Sequence, residues 1–243
     1  MRLFSLISIV SLLLFGSCQS KKFHSAAEHI NRGNNLHDKG DFDGAIGEFD
    51  KAIAIDGQQP FYYFNRGNAR KDKGDFEAAV RDYDSALALN PNLPDVYDNR
   101  GLANYGKQDF DAAIADFGKA LALKPDHANA YNNRGYVREQ KQDFEGALAD
   151  YEKAVALNPN DAYFYNNRGS VLRMRGELNR ALADINKSIE LDPNNAEAYC
   201  NLGLVYLSQG RRAEANAELE KCFALDSRMK PRFEGAANQI RKN

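Results

Sequence analysis

The sequence predicts an all-α fold, a stacked array of six helical hairpins followed by a C-terminal capping helix. Three observations carry that expectation. The tripeptide Asn-Arg-Gly begins at Asn31, Asn65, Asn99, Asn133 and Asn167, and a sixth copy reads Asn201-Leu202-Gly203, each 34 residues after the last. A fixed period of this size marks one short unit copied along the chain, each copy burying its faces against its neighbours. Within each period, apolar residues recur at three- and four-residue spacing in two runs of about a dozen, the pattern of two amphipathic helices. Between the runs lie Gly40-Asp41, Gly74-Asp75, Gln108-Asp109, Gln142-Asp143, Gly176-Glu177 and Gly210-Arg211, pairs suited to a tight turn.

Residues 1–17 stand outside the array. Met1 and Arg2 form a short positive end, and Leu3 to Phe15 is an apolar stretch interrupted only by serines. It falls well short of the ~20 residues that cross a bilayer and has the length of a signal-peptide core, removed on export. The small residues Gly16 and Ser17 directly before Cys18 resemble the lipobox of bacterial lipoproteins, with Phe15 where leucine is usual. That resemblance implies acylation of Cys18 as the new N-terminus, with 18–25 a lipidated cysteine and linker. Ordinary secretory cleavage and an uncleaved anchor are the alternatives. Two or three acyl chains would hold the protein stably, since burial contributes about 0.8 kcal/mol per methylene. In lipoproteins, Gln19 rather than aspartate after the cysteine implies the periplasmic side of the outer membrane.

The array starts at Ala26 and runs without insertion or deletion through units 26–59, 60–93, 94–127, 128–161, 162–195 and 196–229. Glycine in the central turn supplies the left-handed backbone that ends a first helix, and aspartate caps the second. Pro91, Pro125, Pro159 and Pro193 close second helices. Unit one carries Gly44, Gly47 and Gly57 where later copies have better helix formers or proline. An interior glycine costs about 0.5–1 kcal/mol against alanine, so this unit is expected to open first. In 230–243, Pro231 begins a run with Phe233, Ala236, Ala237 and Ile240 on one face, the expected cap.

An aromatic stands fourth in units two to six, as Tyr63, Tyr97, Tyr131, Tyr165 and Tyr199. Glycine follows at eight, alanine at twenty (Ala45, Ala79, Ala113, Ala147, Ala181, Ala215), and a bulky apolar residue at twenty-four, from Phe49 to Leu219. This pattern resembles the tetratricopeptide repeat over residues 26–229. The resemblance implies a right-handed superhelical solenoid whose first helices line a concave surface.

An acid also recurs with period 34, as Glu48, Asp82, Asp116, Asp150, Asp184 and Glu218, sixteen residues after each arginine position. Five pairs are therefore expected, Arg32–Glu48, Arg66–Asp82, Arg100–Asp116, Arg134–Asp150 and Arg168–Asp184, each structural rather than ligand-binding. Cys200 and Cys222 fall on the two helices of unit six at similar height. Export would permit a bridge, but their spacing matches no disulfide framework or metal site, which favours two small buried thiols at packing positions.

Function is expected in the groove. The ladder Asn31, Asn65, Asn99, Asn133, Asn167 and Asn201 offers a donor and an acceptor side by side, the complement of an extended peptide backbone. Similar arrays that bind peptides, including the repeat region of the nucleocytoplasmic glycosyltransferases, use an asparagine here; the alternative is that the amides satisfy neighbours or meet water. Phe64, Asn68, Tyr105, Asn132, Tyr136 and Asn166 complete the candidate peptide site, among further groove positions Ile30, Asn34, Phe61, Lys71, Asp95, Asp98, Leu102, Glu139, Arg173, Leu204 and Leu207. Exposed aromatics and leucines make such a surface the default binding site. The lysines that clamp chaperone C-termini in some family members are absent, Ile30 and Phe64 standing there, which argues against cytosolic chaperone docking.

A net charge of −2 without a basic stripe argues against nucleic acid. His24, His29, His37 and His127 show no metal spacing and no partnered nucleophile, so no cofactor, metal, small-molecule substrate or catalysis is expected. The expected function is an exported, lipid-anchored adaptor that holds peptide segments of partner proteins. The sequence resembles lipoprotein adaptors that recruit cell-wall hydrolases or proteases, and equally the pilotin lipoproteins that escort secretin subunits; a glycan-binding or enzyme-associated subunit is a third reading.

Overall fold

The computed structural model describes residues 25–242, with side chains as far as Ile240. Every regular element among them is helical. They fall into two compact units, one up to Leu123 and one from Lys124. The first holds α1 (25–38), α2 (Phe42–Ile55), α3 (Pro60–Lys73), α4 (Phe76–Leu89), α5 (Pro94–Gly106) and α6 (Phe110–Leu123). The second holds α7 (Ala128–Gln140), α8 (Phe144–Leu157), α9 (Ala162–Met174), α10 (Leu178–Leu191), α11 (Ala196–Ser208), α12 (Arg212–Leu225), a 3-10 turn (Ser227–Met229) and α13 (Lys230–Lys242). Each odd-numbered helix up to α11 pairs with the next as a hairpin. Within each unit, successive hairpins stack.

The turns inside the hairpins follow from their residues. Gly40, Gly74, Gly176 and Gly210 take φ of 77° to 93°, which only glycine adopts without cost. Gln108 and Gln142 take the same left-handed region, at 63° and 62°, with a side chain present. Asp41, Asp75, Asp109 and Asp143 then accept a hydrogen bond from the backbone N–H three residues on, satisfying an otherwise orphaned donor of the second helix. Helices α4, α6, α8 and α10 each end two residues before a proline.

Packing explains the rest of the period. The alanine at position twenty is wholly buried in all six copies. The glycine at eight exists because the bulky residue at twenty-four lies on it: a β-carbon at Gly67 would come within 2.7 Å of the Tyr83 ring, and one at Gly101 within 2.8 Å of Phe117. Tyr83, Phe117 and Tyr151 are in turn fully enclosed. At the C-terminal end, Phe233 and Ala237 of α13 are buried against Tyr199, Leu204, Leu219 and their neighbours, so α13 covers the last hairpin.

Two expectations are corrected here. Cys200 and Cys222 are not free thiols: they are joined across α11 and α12, with Cα atoms 5.3 Å apart. Facing positions on two close-packed helices bring the Cα atoms to the separation a bridge requires. The Arg32–Glu48 pair does not form. Glu48 instead meets His29 Nδ1 at 2.7 Å and Lys51 Nζ at 2.5 Å, while the exposed Arg32 lies 3.7 Å from Glu28. The reason lies at position four, where the later units place a tyrosine. Arg66, Arg100, Arg134 and Arg168 each lie over that ring, 5.3–5.6 Å from its centroid, whereas unit one has His29, which takes the acid itself.

Candidate functional site

The four remaining arginine pairs are bidentate. Arg66 Nε and Nη2 donate to the two oxygens of Asp82 at 2.9 and 2.6 Å, and Arg100, Arg134 and Arg168 repeat this on Asp116, Asp150 and Asp184. All four acids are buried. Arg70, Asn104 and Arg138 add a further hydrogen bond to the acid of their own hairpin. Arg66 and Arg100 also reach back to Asp50 and Asp84 of the preceding unit, at 2.5 and 2.6 Å. These guanidinium groups hold helices together and leave the groove face.

Four rungs of the asparagine ladder, Asn65, Asn99, Asn167 and Asn201, are tied to their surroundings. Asn65 donates to Asn34 Oδ1 at 3.1 Å, Asn167 to Asn132 at 2.9 Å, and Asn201 to Asn166 at 2.8 Å. Asn99 donates to the Asp95 carbonyl and accepts from Lys71 Nζ, both at 2.9 Å. Each link joins one first helix to the next or bonds back to the preceding turn of its own. Asn133 is half-buried, and Asn31 alone of the six is exposed. Asn65 and Asn201 are buried.

The other candidates divide likewise. Asn68 accepts from the Tyr83 hydroxyl at 2.7 Å, Tyr105 lies against the Phe110 ring, and Asn132 and Asn166 are the acceptors just described. Tyr136 is half-buried. Ile30, Leu204 and Leu207 belong to the core. Phe64 packs between Phe61 and Tyr83, and with Phe61 it opens onto an apolar hollow of about 280 Å³. Pro60, Leu93, Pro94, Asp95 and Val96 complete its walls, and Phe61 remains 53% exposed beside it. Pro60 and Pro94 begin α3 and α5, so the hollow lies between the N-terminal turns of adjacent first helices. Sequence reasoning singled out Phe61, Phe64 and Asp95 but did not consider Pro60, Leu93, Pro94 or Val96.

Glu139 on α7 accepts from the Tyr151 hydroxyl at 3.0 Å. Burial holds its carboxyl above the usual range; the Tyr151 hydrogen bond pulls it down, Glu197 pushes it up, and Arg232 and Arg173 pull it down. Among the described residues no cluster of histidine, cysteine and carboxylate side chains could hold a metal ion. His37 pairs with Asp72 at 2.9 Å, and His127 accepts from the Ala130 N–H as a helix cap. Cys18 and His24 lie outside the described residues.

Family models match much of the chain. One described as TPR repeat fits residues 33–74, 67–108 and 169–210, and three described as tetratricopeptide repeat fit 99–162, 150–183 and 196–228. No curated protein sequence matches. Among solved structures, YrrB, described as a TPR protein with an unusual peptide-binding site, shares 27% identity over 80% of this chain and 98% of its own, with a TM-score of 0.62. MamA shares 27% identity over 72% of this chain and 96% of its own, at 0.61. PilF of Pseudomonas aeruginosa superposes at 0.74 over 85% of this chain and 94% of its own with 19% identity, a likeness of fold.

Proposed function

We propose, from the premise that this chain belongs to the tetratricopeptide repeat family, that it is an adaptor whose first-helix face binds extended peptide segments of partner proteins. The observation that carries this reading is the apolar hollow of Phe61, Phe64, Pro60, Leu93, Pro94 and Val96. A phenylalanine half in water beside an open apolar recess is the geometry of an anchor pocket, filled by one aliphatic or aromatic side chain of a ligand. The peptide-binding site named for YrrB supports the same use of the fold. The asparagine ladder contributes mainly by fixing the spacing of the first helices, since its amides are largely engaged with neighbours.

The test is a displayed peptide pool screened against the full chain and Phe61→Ala. Binding of peptides with a bulky apolar residue, weakened at least tenfold in Phe61→Ala with an unchanged melting temperature, is expected. Equal binding by both proteins would remove the hollow from the site.

The adaptor is exported and anchored through Cys18. Supporting this are the apolar leader with Gly16-Ser17 before Cys18, and the Cys200–Cys222 bridge, which belongs to oxidising compartments. Mass spectrometry of protein from a bacterial envelope should find acylated Cys18 as the N-terminus, and Cys18→Ser should release the protein from the membrane. An unmodified N-terminus ahead of Cys18 would overturn the anchor.

A further inference from the structure

Residues 19–24, Gln-Ser-Lys-Lys-Phe-His, join Cys18 to the first helix and lie outside the described residues. The fold fixes the point they lead into. α1 runs beside α3 in the same direction, tied to it by Asn65–Asn34 at 3.1 Å and His37–Asp72 at 2.9 Å, and Ala26, Ile30 and Tyr62 share one buried cluster. The chain therefore enters the array at the end where Pro60 opens α3, and Pro60 and Phe61 form the near wall of the apolar hollow. Packed helix axes stand about 8–10 Å apart. Phe23 precedes α1 by two residues, about 7 Å of extended backbone, which brings its ring within reach of that wall.

The chemistry of the segment matches that of the recess. Pro60, Phe61, Phe64, Leu93, Pro94 and Val96 present carbon, and Asp95 is the charged side chain among the lining residues. In 19–24 the large apolar side chain is Phe23, directly preceded by the cations Lys21 and Lys22. A phenylalanine held in water beside an apolar recess that is itself in water leaves two surfaces whose burial is favourable. The short tether adds to this, since it holds the ring at an effective concentration of order mM, enough for a contact too weak to form between separate molecules.

We propose that Phe23 occupies the hollow in the free protein, with Lys21 and Lys22 towards Asp95, so that a partner's anchor side chain binds by displacing it. This regulates the peptide site of the preceding section and rests on the hollow being its anchor pocket. A ligand then meets an empty hollow in only a fraction of molecules, and its apparent affinity falls by that fraction. Binding in turn frees the residues between Cys18 and α1.

The test uses the full chain, which contains no tryptophan, so Phe23→Trp is a single reporter. Its emission is expected to be blue-shifted, as for a ring out of water, and independent of protein concentration. Adding Phe61→Ala, or titrating in a nonapeptide with a central phenylalanine, should move it to the red. The same nonapeptide should bind Phe23→Ser about fivefold more tightly than the wild type. Water-like emission that neither change moves, or equal affinity of wild type and Phe23→Ser, overturns the occupant and leaves the hollow as a peptide pocket. A blue shift that grows with protein concentration assigns the occupant to a second copy and overturns the contact within one chain. If the nonapeptide binds neither protein while the emission stays blue-shifted and answers to Phe61→Ala, the peptide reading falls and the Phe23 contact stands.

Discussion

Asp116 accepts hydrogen bonds from Arg100 and Asn104 while itself buried, whereas Arg32 has one exposed contact at 3.7 Å. Asp116→Ala leaves Arg100 Nε and Nη2 and the Asn104 amide without their buried acceptor, with only Asp84 still paired to the guanidinium, and is expected to lower the unfolding free energy by about 3 kcal/mol. Arg32→Ala should change it by no more than about 0.5 kcal/mol, both read from urea denaturation. The sixteen-residue spacing made the four bidentate pairs legible in the sequence. The failure in unit one was legible in principle, because the tyrosine that supports each arginine is replaced there by His29. Glu139 gives a second prediction at this scale. Its folded-state pKa is raised, so its contribution to stability is fully present below the unfolded value and is lost as pH rises through the folded one. Glu139→Gln should therefore gain in melting temperature relative to the wild type as pH is raised from 5 to 8, with Tyr151, Glu197, Arg173 and Arg232 unchanged around it. A difference independent of pH would contradict this.

Hairpin turns and the last pair of helices test the element scale. Gln142 holds a left-handed conformation that costs a side chain about 1–2 kcal/mol, and Gly74 and Gly176 show what the position favours. Gln142→Gly should stabilise by roughly 1 kcal/mol in thermal melts, less whatever the glycine adds to the freedom of the unfolded chain. The Cys200–Cys222 bridge closes a loop of 22 residues between α11 and α12, and both cysteines are fully buried. Replacing both with serine, or reducing the bond, should cost about 3 kcal/mol in denaturant unfolding. Helix boundaries, turns and caps were readable because the period was exact and the capping residues recur. For the bridge, the period put both cysteines at similar height on the two helices, but the Cα separation of 5.3 Å that decides pairing is a product of packing.

For the molecule as a whole, copies differ in their ties. In the first unit, α1 and α2 are joined by His29–Glu48 and carry Gly44 and Gly47, while α3 and α4 share the Arg66–Asp82 and Arg70–Asp82 contacts. Amides of α1 and α2 are expected to exchange with deuterium faster than those of α3 and α4, measured by mass spectrometry on the intact chain. Equal protection would show that the glycines and the missing arginine pair carry no weight. The groove was the least legible feature. The amides proposed as its rungs are partly consumed between helices, and the hollow at Phe61 is built from residues whose juxtaposition depends on two helices starting side by side. The backward reach of Arg66 to Asp50 and of Arg100 to Asp84 has a constructive consequence. The second copy carries both a socket for its successor, Asp84, and a plug for its predecessor, Arg66, whereas the third has Gly118 at the socket position, so a duplicate of 60–93 spliced after itself would find both partners waiting. At that junction the array can lengthen by duplication with both ion pairs kept. At the far end Leu202 offers no plug, Lys221 takes the place over Tyr199, and α13 closes the row.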